Sequence, residues 1–367
     1  MTRRLGVRRA LVAGRWVDGD LSIDDDGRIE AVGGPVGSGR GVAAPGFVDR
    51  QVNGFGGHDV RTASPEDLVE MGRALGRHGV TAFLPTLYSS PIEHHLAALG
   101  RIGEATAISG AHPRIVGAHL EGPFLAPKWA GAHDPSTLLA PDRDVLDLLM
   151  TAGPVALVTL APELSGAGSL ITALVDGGVV VSMGHSDASA EEAHRAVDAG
   201  VSMITHCHNA HRRFEPRDPG LAGVALTRPE VTVGLICDGV HLAPETVLAV
   251  FAAAPGRVAV VTDAVAPAGT SATEWHLGDR RLRVEGSAVL TSERRLAGSA
   301  VTPSASLQWL VGIGVEPAVA LTAMSTTAAA GLGIGAHDLS PGSLADLVVL
   351  DESWSVTATM VGGDVLT

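Results

Sequence analysis

Cysteine is nearly absent from this chain of 367 residues, with Cys207 and Cys237 its only two. A disulfide framework and a structural zinc site built on paired cysteines are both excluded. Each cysteine sits inside a strand-like run beside a candidate site residue, where strand alternation turns the thiol outward under the helices as a buried small hydrophobe in a reducing compartment. Positive charge is also short. Lys and Arg total 26 against 40 Asp and Glu, a net charge of −14. A general nucleic-acid binder needs a basic face that this composition does not supply, whereas a small anionic substrate needs only one or two local cations. No apolar run reaches membrane-spanning length, and the opening MTRRLGVRRALVAGRWVDGD lacks the apolar core of a signal peptide. The expected location is the cytoplasm. Low-complexity sequence is missing too; the 46 glycines are dispersed, apart from GGPVGSGRG at 33 to 41, which reads as a flexible crossover.

What the chain does have is a series of short apolar runs rich in Val and Ile, without internal alternation. They are VAAPGFVDRQVNG, VTAFLPT, RIVGAHLEG, VALVTLAP, VVVSMGHS, SMITHCHN, TVGLICDG and RVAVVTDAV. Such runs suit strands buried on both faces of a parallel sheet. Between them lie stretches with helical spacing. SPEDLVEMGRALGRHG has Ser64 as N-cap, Glu66 and Asp67 in its first turn and Gly79 as a stop; SDASAEEAHRAVDAG repeats the design, with a cap between Ser186 and Ser189 and Gly200 at the exit. Eight strands alternating with helices predict an α/β fold of the (β/α)8 TIM-barrel type over residues 44–334. Residues 1–43 and 335–367 each read as a few short strands, with turns at Gly14, Gly19 and Asp26-Gly27 in the first piece. Neither piece alone can bury a core, so both chain ends are expected to form one small β-sandwich domain.

Several strand-like runs end in a residue suited to metal or acid–base chemistry: Gln51 and Asn53, Glu121, His185, His206, Asp238 with His241, and Asp263. In a (β/α)8 barrel the C-terminal strand ends are where catalytic groups gather. Glu121, His185 and His206 end three different strands and can converge on one ion, and two imidazoles with one carboxylate leave a coordination position for water, as in catalytic zinc sites. Zinc is the foremost expectation, with iron, cobalt or manganese compatible with the same ligands. Asp263 can serve as the base toward a water and then as the acid toward a leaving amine; its competing reading is a helix cap.

The segments PGFVDRQVNGFGG, GAHLEGPFLAPKWAGAH, MGHSDASAEEAHRAVDAG, ITHCHNA followed by RDPG, CDGVHLAP, VTDAVAPAG and LAGSAVTPS resemble, in order, those of the N-acetylglucosamine-6-phosphate deacetylase family of the amidohydrolase superfamily. The terminal SPGSLADLVVLD resembles the strand that closes the superfamily's small domain. The resemblance implies metal-dependent deacetylation of an amino-sugar 6-phosphate, releasing acetate, in amino-sugar catabolism. It implies one divalent metal ion on Glu121, His185 and His206, with Asp263 as catalytic acid/base and His241 polarising the acetamide carbonyl. Substrate contacts implied in the same way are Ala132, His133, Asn209, Ala210, Leu296, Ala297 and Gly298. Arg217, in RDPG, matches a phosphate-binding arginine supplied by the neighbouring subunit, which implies a homodimer.

Two departures bear on the chemistry. Related two-metal hydrolases hold a second ion with a His-x-His pair and a modified lysine; here the pair is Gln51-x-Asn53, and VALVTLAPE contains no lysine. Amides are poor zinc ligands beside imidazole or thiolate, so one strongly held metal is expected. The run His206-Cys207-His208-Asn209-Ala210-His211-Arg212-Arg213 is unusually rich in histidine and arginine. His208 is read as a packing substitution at the barrel mouth, while His211, Arg212 and Arg213 bear on phosphate binding or on the choice of sugar. The alternatives are deacetylation of N-acetylgalactosamine 6-phosphate or another acylated amine, opening of a cyclic amide, and an inactive sugar-phosphate-binding regulatory protein.

Overall fold

The computed structural model describes residues 3–35, 41–277 and 280–366. Most of the glycine-rich crossover expected at 33 to 41 lies outside these residues.

Eight parallel strands form the barrel: β1 Phe47–Val52, β2 Val80–Tyr88, β3 Ala118–Glu121, β4 Val155–Leu160, β5 Val180–Met183, β6 Met203–Ile204, β7 Thr232–Ile236 and β8 Val258–Val261. Each pairs with its neighbour in chain order from β1 to β8. Closure is looser: β1 and β8 meet through a single parallel bridge, Val52 to Ala264. All residues of β1, β3, β5 and β8 are buried, as unalternating runs require when helices cover the sheet from outside.

The helices begin where capping chemistry places them. Ser64 caps Pro65–Gly76, and its side chain and that of Asp67 satisfy each other's backbone N–H groups; Ser189 and Glu192 do the same for Ala190–Asp198. Apolar side chains then fill two layers. One lies between strands and helices; the other packs Val48, Ala82, Leu84, Leu157, Met203 and Ala259 against Ala328, Ala329 and Leu332. A polar layer links strands β3 to β6: the Nε2 of His119 is 2.8 Å from Thr159 Oγ1, Thr159 bonds Thr205 at 2.7 Å, and Thr205 bonds Ser182 at 2.6 Å. Burial pushes His119 down to about 4, so its imidazole is neutral at physiological pH.

Both chain ends do meet in a small two-sheet unit. A six-stranded sheet runs in the order Asp364–Val365, Val356–Val361, Leu347–Leu350, Val42–Pro45, Arg9–Val12, Arg15–Asp18. A three-stranded sheet of Arg3–Arg4, Asp20–Ile23 and Ile29–Gly34 accompanies it, and Ala10, Leu21, Ile23, Ile29, Ala43, Leu347 and Met360 form their shared core. The strand Val42–Pro45 runs across the boundary expected near residue 43.

One element was not anticipated. Between β8 and the helix Pro303–Gly312, a four-stranded antiparallel sheet is built from Glu274–Leu277, Arg280–Glu285, Ala288–Leu290 and Leu296–Ser299. Its strands are only three to six residues long, and Arg280–Glu285 is mostly charged, so no long apolar run announces them. The last of them reaches the barrel mouth, where Ser299 bridges to Ala264.

Among the described residues, no helix is long and apolar enough to cross a membrane.

Candidate metal centre and active site

Glu121 is the last residue of β3, while His185, His206 and Asp263 each lie two residues past the end of their strand. These three have φ of 49°, 30° and 50°, in the left-handed region that residues with a Cβ seldom enter. Such conformations cost about 1–3 kcal/mol each and persist only where surrounding contacts enforce them. The result is convergence. Glu121 Oε1 lies 3.2 Å from His185 Nε2 and 3.0 Å from His206 Nε2, and the two imidazole nitrogens are 3.1 Å apart.

The donor set fits a divalent cation. Bonds of about 2.0–2.1 Å in tetrahedral array place ligand atoms roughly 3.3 Å apart, close to the spacings observed. His185 Nδ1–H donates to the carbonyl of Trp129 at 2.8 Å, which leaves Nε2 with its lone pair toward the cluster. Burial tends to raise the Glu121 carboxyl, but hydrogen bonds from His185 and His206 outweigh it and hold the group well below the usual carboxylate range. For His206, burial is outweighed by Glu121 and the imidazole is raised. Both shifts describe one fact: three lone pairs face each other and call for positive charge between them, which a metal ion supplies better than a shared proton.

The neutral amides of β1 turn toward the carboxylates. Gln51 Nε2 donates to Glu121 Oε1 at 2.9 Å and to Asp263 Oδ1 at 3.1 Å, and Asn53 Nδ2 donates to the same Asp263 oxygen at 2.7 Å. Asp263 is buried at the floor of the cavity it lines. Its carboxyl is pushed up to about 6, by burial first and by the charge of Glu121 second, with His206, His241 and the Asn53 bond opposing. That places a base near neutrality beside the metal ligands.

Asp238 orients His241. Its Oδ2 takes the Nδ1–H of His241 at 2.7 Å, while Oδ1 accepts the backbone N–H groups of Val240 and His241 at 2.8 and 2.9 Å. With Nδ1 engaged, the Nε2 of the imidazole is free to face the cavity that His241 lines. His133 is fixed similarly: its Nδ1 accepts the N–H of Ser89 at 3.2 Å, so Nε2 carries the proton, 3.8 Å from Glu121 Oε2. Burial and the neighbouring His185 push His133 down to about 3, so it is a neutral donor.

A cavity of about 240 Å³ opens above this cluster. Glu121, His185, His206, Asp263, His241, Ala132, His133, Asn209, Ala210, Leu296, Ala297 and Gly298 all line it. Arg217 does not; it is exposed and makes no ion pair among the described residues. Tyr88, Gly131, Ile236 and Val265 also line the cavity without having been singled out in the sequence. Tyr88 is the last residue of β2 and could have been found by the strand-end rule. Gly131 precedes the GAH pair, whereas Ile236 and Val265 carry no chemical signature.

The unusual run after His206 does not add free cations to the cavity. The buried His211 accepts the N–H of His208 through Nε2 at 3.0 Å, and burial holds it well below its ordinary pKa. Arg212 is bound by Asp187, 3.4 Å away, and by Asp218. Arg213 is exposed. Cys207 and Cys237 are buried and unpaired, with burial pushing Cys207 up to about 12 and Cys237 further still.

Comparison with known proteins agrees with this geometry. The sequence model of the amidohydrolase family matches residues 42–366. The chain is 32% identical to the N-acetylgalactosamine-6-phosphate deacetylase of Escherichia coli O157:H7 over 372 residues, covering 99% of each chain. It is 35% identical to the N-acetylglucosamine-6-phosphate deacetylase of Mus musculus over 343 residues, covering 89% of this chain and 83% of that one. Among solved structures, the N-acetyl-D-glucosamine-6-phosphate deacetylase of Mycobacterium smegmatis superposes with a TM-score of 0.93 at 31% identity, covering 100% of this chain and 99% of that chain; it is an aspartate-to-alanine mutant in complex with N-acetyl-D-glucosamine 6-phosphate.

Proposed function

The chain belongs to the amidohydrolase family, and from that premise we propose that it hydrolyses N-acetyl-D-glucosamine 6-phosphate to D-glucosamine 6-phosphate and acetate. The observation that carries this reading is the meeting, in one buried pocket, of a His2Glu ligand set with an acid/base carboxyl and an oriented imidazole. Sugar-phosphate binding alone needs no base beside a metal site, so a regulatory protein is the weaker reading.

Glu121, His185 and His206 would hold a divalent cation, zinc suiting these ligands best, which when bound would supply Lewis acidity toward the acetamide carbonyl and the water. Asp263 takes the proton that water loses as its oxygen bonds the acetyl carbon. As the C–N bond breaks, Asp263 returns that proton to the sugar nitrogen, so acetate and the amine leave in balance. Gln51 and Asn53 donate to one Asp263 oxygen and leave the other to work. His241, whose Nδ1–H is held by Asp238, donates to the carbonyl oxygen from Nε2 when both ring nitrogens carry a proton, with the Asp238 carboxylate as its counter-charge, where negative charge develops. Ala132, His133, Asn209, Ala210 and Leu296 to Gly298 form the walls against the sugar and its phosphate.

Arg217 lies away from its own cavity, which supports its delivery to the phosphate of a second copy in a homodimer. Exposed Phe214 and Val240 on loops at the same end of the barrel offer apolar surface for that contact. The two buried free thiols fit a reducing, cytoplasmic setting.

The end-to-end match to the Escherichia coli enzyme favours a second reading, the N-acetylgalactosamine epimer. Acetate release from both sugar phosphates and from unphosphorylated N-acetylglucosamine, with protein of known metal content, separates the cases. Turnover of the glucosamine compound in preference to the others is expected. Turnover of the galactosamine epimer alone would replace the reading, and no turnover of any by metal-loaded protein would reject both.

A further inference from the structure

We infer that Asp49 is a positioning residue for Asp263: from behind the seam between the first and last barrel strands, it holds the turn that aims the Asp263 carboxylate into the pocket. The inference rests on the acid/base role proposed for Asp263.

The seam is the weakest part of the barrel, since β1 and β8 share one backbone bridge where the other neighbours share ladders. Asp49 spans it below that bridge. Its Oδ2 takes the hydroxyl of Thr262 at 2.6 Å, and its Oδ1 accepts the N–H of Thr262 at 3.3 Å and of Gln51 at 3.2 Å. Asp49 and Thr262 border a small void against Phe47, Val260, Pro303 and Met324, on the helix side of the sheet and away from the pocket. Asp49 therefore touches neither substrate nor metal ligands. All three of its contacts are donors, which is how a buried carboxylate is kept satisfied.

The link to Asp263 is the Thr262 hydroxyl. While donating to Asp49, it accepts the N–H of Ala264 at 3.1 Å, so one oxygen ties together the residues on either side of Asp263. The same Ala264 is held across the seam by the N–H of Asn53, at 2.8 Å from its carbonyl. Enclosed in this way, Asp263 keeps its φ of 50°, a conformation that a residue with a Cβ leaves once released. The bond to Gln51 N–H extends the control: the strand segment that presents Gln51 and Asn53 to Asp263 is anchored by the same carboxylate. A base displaced by about 1 Å loses on the order of 10²-fold in rate.

The test compares Asp49→Ala, Asp49→Asn and Thr262→Val as metal-loaded protein. Asp49→Ala and Thr262→Val should lower kcat by about 10²-fold, with KM within about twofold and metal content unchanged. Asp49→Asn should stay within about tenfold of the wild type, because its oxygen still accepts both N–H groups and its amide can donate to the Thr262 hydroxyl. Thr262→Val preserves shape, so it carries the test if Asp49→Ala fails to fold. Unchanged kcat in both disruptive variants, with only melting temperature lowered, overturns the inference. A readout without substrate separates this from failure of the proposed reaction. In a crystal structure of Thr262→Val, Asp263 should leave the left-handed region and lose its bonds to Gln51 and Asn53, and retention of both overturns the inference whatever the enzyme acts on.

Discussion

Burial of Asp49 should make the stability of the metal-free protein fall with rising pH, and Asp49→Asn should remove that fall. The carboxyl is pushed up to about 7, chiefly by burial, against hydrogen bonds from Thr262 and Gln51 that lower it and a small contribution from Asp263 that raises it. An unfolded aspartate ionises near its ordinary value of about 3.9. Below about pH 4 the group is protonated in both states and contributes no slope. Between about pH 4 and 7 the unfolded chain has released its proton while the folded chain keeps it, so the folded state binds more protons and its stability declines as pH rises. The slope is about 1.4 kcal/mol per pH unit, and the whole displacement is worth up to about 4 kcal/mol, complete once pH exceeds the folded value. Urea unfolding of chelator-treated wild type and Asp49→Asn across about pH 4.5 to 8 measures this as a difference, in which other titrating groups largely cancel. The wild type should lose ground to the variant steadily up to about pH 7 and then run parallel to it. Parallel curves throughout would refute the reasoning, because they would mean that the folded carboxyl ionises as an exposed one does.

The remaining predictions concern the pocket. Asp263→Asn should lower turnover by about 10²–10⁴-fold, the usual worth of a general acid/base, with metal content unchanged by elemental analysis; near-normal turnover would remove Asp263 from the chemistry. Glu121→Gln takes away the only carboxylate of the ligand set, so metal stoichiometry should fall from about one per chain on dialysis, measured by elemental analysis, before any assay of activity. His241→Ala should cost about 10²–10³-fold in kcat as loss of an oxyanion donor. Asp238→Asn should cost less, because it loosens the imidazole without removing it, and a larger loss than for His241→Ala would contradict that order. Activity should rise with pH as Asp263 gives up its proton, at or below about pH 6 because the cation's charge favours the carboxylate, in a kcat/KM profile on metal-loaded protein; a rise centred well above that value would count against Asp263 as the base.

How far the fold could be read in advance depended on how local its causes were. The buried strands were legible because a run such as VAVV has no polar residue to expose, and the two helix starts because serines stand at 64 and between 186 and 189 ahead of helical spacing; in the second helix Ser189 is the cap. The pieces at 1–43 and 335–367 could be joined because neither had strands enough to bury a core alone. The sheet from Glu274 to Ser299 obeys no such rule: its short strands are stabilised by one another and by the barrel mouth, which is tertiary information. The metal cluster was legible from residue type at successive strand ends, a position that topology makes common to all of them.

Aim was harder to read than position. Alternation along a strand predicts which side a residue faces, but His185, His206 and Asp263 stand beyond their strands in left-handed turns, where no period applies. Glycine or asparagine would normally mark such turns, and here histidine and aspartate occupy them because the chemistry needs their side chains at those points. What makes the turns tolerable is a set of contacts from residues outside the ligand and acid/base set. Trp129 offers its backbone carbonyl to His185. Asp49 and Thr262 brace the turn at Asp263 from the far side of the sheet. Their identities were in plain view in LAPKWAG, GFVDRQ and VVTDAV, but their partners lie on other strands and loops, so their work became visible only with the barrel closed. The ligand cluster of Glu121, His185 and His206 could be read from residue type at strand ends; the residues that hold the strained turns required the geometry of the seam and the loops, and it is there that substitutions should separate rate from affinity.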